Sequence, residues 1–341
     1  MLRYLKGGIL AIIIALPGIL VTCTKDNLYT DPPNTIKVKV TQEAGISFEG
    51  VRVNSVSVDE FNQIWFATDI GLFLYKDGAF SKLEINGISK VNDVFYYNSE
   101  IIASTDNGVI LIDVINGEIH EKALQLNRGY SSIISNVVNT SFINDRNVYW
   151  FGTDIGPCML HDTTWTDTLD KNVNEVNVSS FTNRGTDYFM GTIGSYLYHF
   201  YYDDEIDAVT RASKMEIGYN GNLTSDTIYD VFTSHDDYLW FGSSKGLTKQ
   251  KGQTKTWNGE FYYFLLGKEI LTITEDNNSD IWAGSYNGIW KQVDTTWQNI
   301  SVEDGLAGNT IYSIAIDDNN DVWVGTNNGI SNIKGDLIKN Y

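Results

Sequence analysis

The stretch IYSIAIDDNNDVWVGTNNGIS, residues 311–331, decides the fold. It opens with an apolar run, Ile311 to Ile316, and turns at a cluster of Asp and Asn. An apolar run centred on Trp323 follows, then Gly325-Thr326, a polar Asn-Asn pair, and Gly329-Ile330 opening another run. Asp and Asn tolerate tight and left-handed backbone, so the pattern predicts strand, turn, strand, turn, strand. Val322 and Val324 point to one face and Trp323 and Gly325 to the other, because side chains alternate along a strand. Both faces are therefore covered. A Trp beside a Gly that admits a neighbouring backbone is a packing device.

The same grammar recurs upstream. The segments equivalent to Val322–Thr326 are Ile64–Thr68 (IWFAT), Ile101–Thr105 (IIAST), Tyr149–Thr153 (YWFGT), Tyr188–Thr192 (YFMGT), Leu239–Ser243 (LWFGS) and Ile281–Ser285 (IWAGS). Their fourth positions are spaced by 37, 48, 39, 51, 42 and 41 residues. That period is the length of a four-stranded propeller blade. Helical periodicity is nearly absent, and Gly marks the turns. The expected fold is all-β: a seven-bladed β-propeller with four antiparallel strands per blade, over residues 36–341. Ile36–Val40 alternates as a strand would, and Leu337–Tyr341 reads as a fourth strand of the final unit; one of them closes the ring or both pair in the last blade, and the favoured expectation is that the N-terminal strand completes the last sheet and ties the chain ends together.

The remaining sequence gives an address. Arg3 and Lys6 precede an uncharged apolar run from Gly7 to Thr22. That run is too short for a comfortable membrane span of ~20 residues and reads as an export signal, residues 1–22. Leu20-Val21-Thr22-Cys23 resembles a bacterial lipobox, which implies lipidation at Cys23. Residues 23–35, polar and with Pro32-Pro33, read as a tether. Lys25-Asp26 after the Cys resembles the export signal of Bacteroidetes surface lipoproteins. The implied location is the outer membrane, on the cell surface or else on its periplasmic face. A formal charge of −19 argues against nucleic acid or an anionic membrane surface as a partner, and mainly serves solubility. With Cys23 lipidated, Cys158 has no partner and is expected as a small buried hydrophobe.

The motifs DVWVGTNNGIS and YLWFGSSKGLT resemble the two-component regulator propeller repeat, and the resemblance extends over residues 53–341. It implies an extracytoplasmic ligand-binding propeller, of a kind often linked to glycan use. In that family the propellers are usually joined to a histidine kinase; this sequence contains no kinase segment, so signalling is not carried over. A virginiamycin-type lyase is similar in architecture, but its catalytic histidines have no counterparts that can be placed here.

Chemistry is sparse. Gly242-Ser243-Ser244-Lys245-Gly246 matches the Gly-x-Ser-x-Gly nucleophile pattern, which needs a strand-to-helix turn and here falls in a repeat turn. His120, His161, His199 and His235 are scattered over the units. The acidic turns, Asp317–Asp321 among them, offer oxygen ligands for calcium but lack the spacing of a calcium loop and read as solvated turns. No other cofactor is expected. Four Asp-Thr steps, at Asp162, Asp167, Asp226 and Asp294, resemble Bacteroidetes O-glycosylation sites.

A surface is the better candidate. Turns between second and third strands share a face with the loops that join blades. They place Asp69, Asp106, Asp154, Ser244, Tyr286 and Asn327 at equivalent positions. The inter-blade loops add Arg128, Tyr130, Tyr219, Asn220 and Asn309. Asp69, Asp106, Asp154, Tyr219, Tyr286 and Asn327 are the expected ligand-binding set, since rings, amides and carboxylates suit a neutral sugar. Three functions follow in order. The first is non-catalytic binding of a glycan or peptide in sensing or uptake. The second is a protein-interaction scaffold with an envelope protein, and the third a lyase or glycosidase.

Overall fold

The computed structural model describes residues 12–16, 19–23 and 35–341, except 43–44, 130, 145, 163, 167–172, 174, 204–207, 216–222 and 252–259. The lipidation expected at Cys23, and the signal and tether around it, lie outside the described side chains.

Seven four-stranded antiparallel blades follow one another along the chain: the first two are joined by one further strand into a nine-stranded sheet, and the other five are separate four-stranded sheets. Their innermost strands are Val53–Val58, Val91–Tyr97, Val138–Ile143, Asn177–Arg184, Ile228–Thr233, Ile270–Glu275 and Ile311–Ile316. Each pairs with the strand carrying the repeat motif, from Ile64–Thr68 in blade 1 to Val322–Thr326 in blade 7. Blade 7 ends with Gly329–Lys334 and its own outer strand, Leu337–Asn340.

That outer strand corrects one expectation. The N-terminal strand, Thr35–Gln42, does not complete the last blade. Val38–Gln42 pairs with the outer strand of blade 1, Ala79–Ile85, and Thr35–Lys37 pairs with the outer strand of blade 2, Glu118–Leu126. One strand thus bridges two blades and covers both edges. With blade 7 already four-stranded, it had no vacant edge at which to dock. The ring instead closes through side chains. Phe48, fully buried, meets Phe73 and Phe80 of blade 1, with centroids 5.0 and 4.9 Å away. Gly50 donates its N–H to Asn328 Oδ1 of blade 7 at 2.9 Å. Trp323 packs on Tyr75 and Phe66 across the seam.

The core lies between blades. Trp65, Trp150, Trp240, Trp282 and Trp323 are buried, as the repeat reading requires. A Cβ placed on Gly325 would come within 2.9 Å of Val53 Cγ1, and on Gly284 within 2.7 Å of Ile311 Cγ2. These glycines let the next inner strand approach, so blade contact is set by the residue beside the Trp. Cys158 is fully buried in the cluster between blades 2 and 3.

The turns between first and second strands hold a device that the sequence reading missed. Asp317 is buried. Its Oδ1 accepts the N–H groups of Asn319 and Asp321 at 2.9 and 3.0 Å, and its Oδ2 accepts Trp323 Nε1–H at 3.1 Å. Asp276 does the same for Asn278, Asp280 and Trp282, and Asp59 for Phe61, Gln63 and Trp65. The six-residue offset places one carboxylate under both the turn and the indole. Reading Asp317–Asp321 as a solvated turn is therefore corrected at its first residue. Asp318 and Asn319 are exposed, while Asp317 is a buried organiser.

Replacing Asp317 by Ala leaves an indole N–H and two backbone N–H groups without their acceptor. Each lost buried partner costs on the order of 1 kcal/mol or more. We expect Asp317→Ala to destabilise the protein by about 2–3 kcal/mol in chemical denaturation, with Asp318→Ala within about 0.5 kcal/mol of the parent. Equal effects of the two would contradict the role given to Asp317.

Candidate functional site

The face bearing the turns between second and third strands is built on a fixed local frame. In every blade the hydroxyl that ends the second strand bonds the carbonyl that opens or precedes the third. Thr326 Oγ1 donates to Gly329 O at 2.9 Å and accepts Asn328 N–H at 3.0 Å. The same closure occurs at Thr68, Thr105, Thr153, Thr192, Ser243 and Ser285. The residue just after that hydroxyl is presented outward, which places the expected set at the rim.

Asp69, Asp106, Asp154, Tyr286 and Asn327 are all exposed there. The structure does not merge the three carboxylates into one centre. Asp69 Oδ1 accepts Asn54 Nδ2–H at 3.0 Å, Asp106 Oδ1 accepts Asn92 Nδ2–H at 2.8 Å, and Asp154 Oδ1 accepts Ser135 Oγ–H at 2.6 Å. Each carboxylate is held by its own blade. Asn327 Oδ1 accepts Thr310 N–H at 3.1 Å, and Asn309 Oδ1 caps Val302 N–H at 3.0 Å. Ser244 Oγ bonds the Ser225 hydroxyl within a hairpin, not an imidazole. Tyr219, Tyr130 and Asn220 lie outside the described residues. Among the described residues, no group of three or more His, Cys, Asp or Glu could hold a metal ion.

Tyr286 is the exception, because it has neighbours. One residue near the start of each inner strand, the second in six blades and the third in blade 4, sits at a register irregularity. In blades 1 to 3 it is Asn54, Asn92 and Asn139. Their Nδ2–H groups reach the carbonyls of Val91, Val138 and Val178 on the next blade at 2.8, 2.9 and 2.9 Å. Ser179 does likewise in blade 4, to Ile228 O. In blades 5 to 7 the position holds Tyr229, Leu271 and Tyr312. Tyr229 donates its hydroxyl to Glu269 Oε2 at 3.0 Å. The Arg52 guanidinium lies over the Tyr312 ring, 3.8 Å from its centroid. Burial, and next the Glu269 charge, push the Tyr286 hydroxyl upward in pKa, while Tyr312 and Arg52 also act on it. Burial and the Glu269 bond push Tyr229 up to about 12. At neutral pH Tyr229 and Tyr286 are therefore neutral. Blades 5, 6, 7 and 1 thus gather three tyrosines, one cation and one carboxylate at one side of the mouth. Arg52, Tyr229, Glu269 and Tyr312 were missed from sequence. The signal that could have found them is the departure from Asn or Ser at the second inner-strand position.

Below the mouth, the third inner-strand position forms an axial ring. Ser313 Oγ accepts Val56 N–H, Asp93 Oδ2 accepts Ser141 N–H, Ser180 Oγ accepts Val231 N–H and Asp230 Oδ2 accepts Ile273 N–H. Every one of these bonds joins consecutive blades. Asp93 and Asp230 are three blades apart, yet the Asp93 charge acts on Asp230, so both face the axis. Desolvation pushes the Asp230 carboxyl up from 3.8 to about 6, against the hydrogen bonds from Ser180, Ile273 and Val231. Desolvation likewise raises Asp93.

Residues 305–328 match the two component regulator propeller family, so the last blade carries that repeat. The fold is shared with the extracellular domain of a hybrid two component system of B. thetaiotaomicron, at TM-score 0.65 and 17% identity over 88% of this chain and 42% of that one. It is shared with PorZ, a surface component of the type-IX secretion system of Porphyromonas gingivalis, at TM-score 0.68 and 14% identity over 88% and 48%. Streptogramin B lyase is similar at TM-score 0.64 and 13% identity over 89% and 98%. The chain spans less than half the length of the first two proteins. No curated protein matches it.

The axial ring makes a pH-dependent prediction. Folding raises the Asp230 pKa, so the folded state holds this proton more tightly. Stability from the site is greatest below about pH 4, where the acid is protonated in both states, and falls as pH rises to about 6. Asp230→Asn should match the parent below about pH 4 and exceed it by roughly 1–2 kcal/mol at pH 7, less than the full shift implies because Asp230 is partly exposed. Denaturation at both pH values checks this; a variant less stable at pH 7 than at pH 4, relative to parent, contradicts it.

Proposed function

We propose that the protein is an extracytoplasmic, lipid-anchored propeller that binds a neutral glycan at the mouth, without catalysis, in sensing or uptake. The observation that carries this reading is the Arg52–Tyr312–Tyr286–Glu269–Tyr229 cluster. Ring faces give a sugar apolar contact, and charged groups beside them give its hydroxyls donors and acceptors. The charges are opposite in sign and already engaged with ring or hydroxyl, which favours a neutral ligand over an ion. The fold's occurrence in a two component ectodomain and in a secretion-system surface component supports the extracytoplasmic part of the reading. A peptide is the alternative occupant of the same rings.

A scaffold role has its own observation. Ile70, Ile155, Ile193 and Leu266 are 41, 44, 38 and 64% exposed on the rim of this face. Apolar side chains repeated around a rim suit a protein partner within an envelope complex.

Glycan-array screening of the protein, followed by calorimetry, tests the mouth. Tyr286→Ala and Tyr312→Ala should each weaken a confirmed glycan at least roughly tenfold, about 1.4 kcal/mol. Tyr262→Ala, on the exposed outer strand of blade 5, should leave affinity within about twofold, under roughly 0.5 kcal/mol. Undiminished affinity in both mouth variants would remove the site from this cluster. Binding lost only on replacing Ile155 and Leu266 would favour the scaffold.

A further inference from the structure

The opposite face holds a second candidate, at the seam where blade 7 meets blade 1. A cleft of about 380 Å³ opens there between the turns at Phe61–Gln63 and Asp317–Asp321. Tyr75, Trp323 and Tyr341 form its aromatic wall. Two of its lining side chains carry buried polar atoms with no hydrogen-bond partner: Gln63 Oε1 and Asn332 Nδ2. Gln63 is only 5% exposed. Its amide orientation is not arbitrary. Gln63 Nε2 donates to Gly117 O at 2.9 Å, so a flip would set Oε1 against a carbonyl oxygen. An unmet buried acceptor or donor costs about 1–3 kcal/mol. Two in one cleft, one of each kind, are a cost that an occupant would remove.

We propose that this seam cleft is a second ligand site, distinct from the mouth, and that it takes a neutral sugar bearing an acetamido group. The acetamido N–H is the donor that Gln63 Oε1 lacks, and its C=O is the acceptor that Asn332 Nδ2 lacks. The aromatic wall accepts a ring face. The charged lining argues for neutrality. Lys334 Nζ is 3.0 Å from Asp321 Oδ2, and Lys76 Nζ is 2.7 Å from Glu118 Oε1. Asp317 is taken up by its turn and by Trp323. No lining cation or buried carboxylate is left over for an ionic ligand. The cleft lies beside the ring-closing contacts of Tyr75, Trp323 and Tyr341, with the Tyr75 and Tyr341 hydroxyls 3.3 Å apart.

N-acetylglucosamine and its β-1,4 dimer, titrated by calorimetry with thermal unfolding alongside, test the proposal. Glucose and N-acetylglycine amide serve as comparison probes. Saturable binding of the acetamido sugar is expected, with glucose at least about fivefold weaker, near 1 kcal/mol. Asn332→Leu should abolish that binding while leaving the unfolding temperature unchanged or higher, since it deletes an unpaired donor. Gln63→Leu is the second variant; Lys76 Nζ, 3.0 Å from Gly117 O, still serves that carbonyl. Tyr286→Ala, at the mouth, should leave this binding unchanged, which separates failure here from failure there. No saturable binding of either acetamido sugar overturns the proposal. So does binding that survives both Asn332→Leu and Gln63→Leu, and so does binding of the glycine amide alone.

Discussion

A propeller sheet is covered on both faces, so a polar group buried between blades must find a partner inside the protein. The buried Asp at the foot of blades 1, 6 and 7 meets that demand. One carboxylate accepts two turn N–H groups and the indole that fills the gap to the next blade. Turn shape and inter-blade packing are thereby one interaction. Where the Asp is replaced, the substitutes show what it does. In blade 5, Ser234 Oγ reaches Trp240 Nε1 at 3.3 Å. In blade 3, Asn144 keeps the turn N–H groups of Arg146 and Val148, turns its amide to Tyr188, and leaves Trp150 Nε1 unpaired. An amide has one acceptor where a carboxylate has two, and the indole is the group that goes without.

Closure follows from the same logic. Blade 7 owns its fourth strand, so the ring cannot be sealed by a strand from the other end. Phe48, Val53, Phe66, Tyr75, Phe80, Trp323 and Tyr341 form one cluster over the seam. Side-chain packing replaces the backbone ladder. The N-terminal strand is left to bridge the outer edges of blades 1 and 2, where it protects two edges at once. Packing by large rings is less exact than a ladder, and the cleft beside Trp323 is the space the rings do not fill.

The architecture was legible because it is repeated. Seven motifs at a blade-length period, five with Trp and five with Gly at the equivalent positions, carry their own packing rule, and the glycines face the next inner strand. Strand bounds fell close to the reading: Ile36–Val40 was expected and Thr35–Gln42 is found. Its destination was not legible, since edge choice depends on which blade lacks a strand, a property of the assembled ring. The site was half legible. Tyr286 could be placed by the turn it occupies. Arg52, Glu269, Tyr229 and Tyr312 converge from four blades, and no local spacing reports that. Asp69, Asp106 and Asp154 have the right residue type at the right height, but each is spent on its own blade's Asn or Ser.

The repeat therefore separates two kinds of residue. Where a side chain obeys it, as Asn54, Asn92 and Asn139 do, it ties one blade to the next. Blades 5, 6 and 7 give up that tie at the same position and place Tyr229, Leu271 and Tyr312 there instead. A lost inter-blade hydrogen bond is a cost of about 1 kcal/mol each, repeated on three adjacent blades and nowhere else in the ring. The three positions fall side by side, next to Arg52, Glu269 and Tyr286. The asymmetry, rather than any single residue, sets this side of the mouth apart from the rest of the ring.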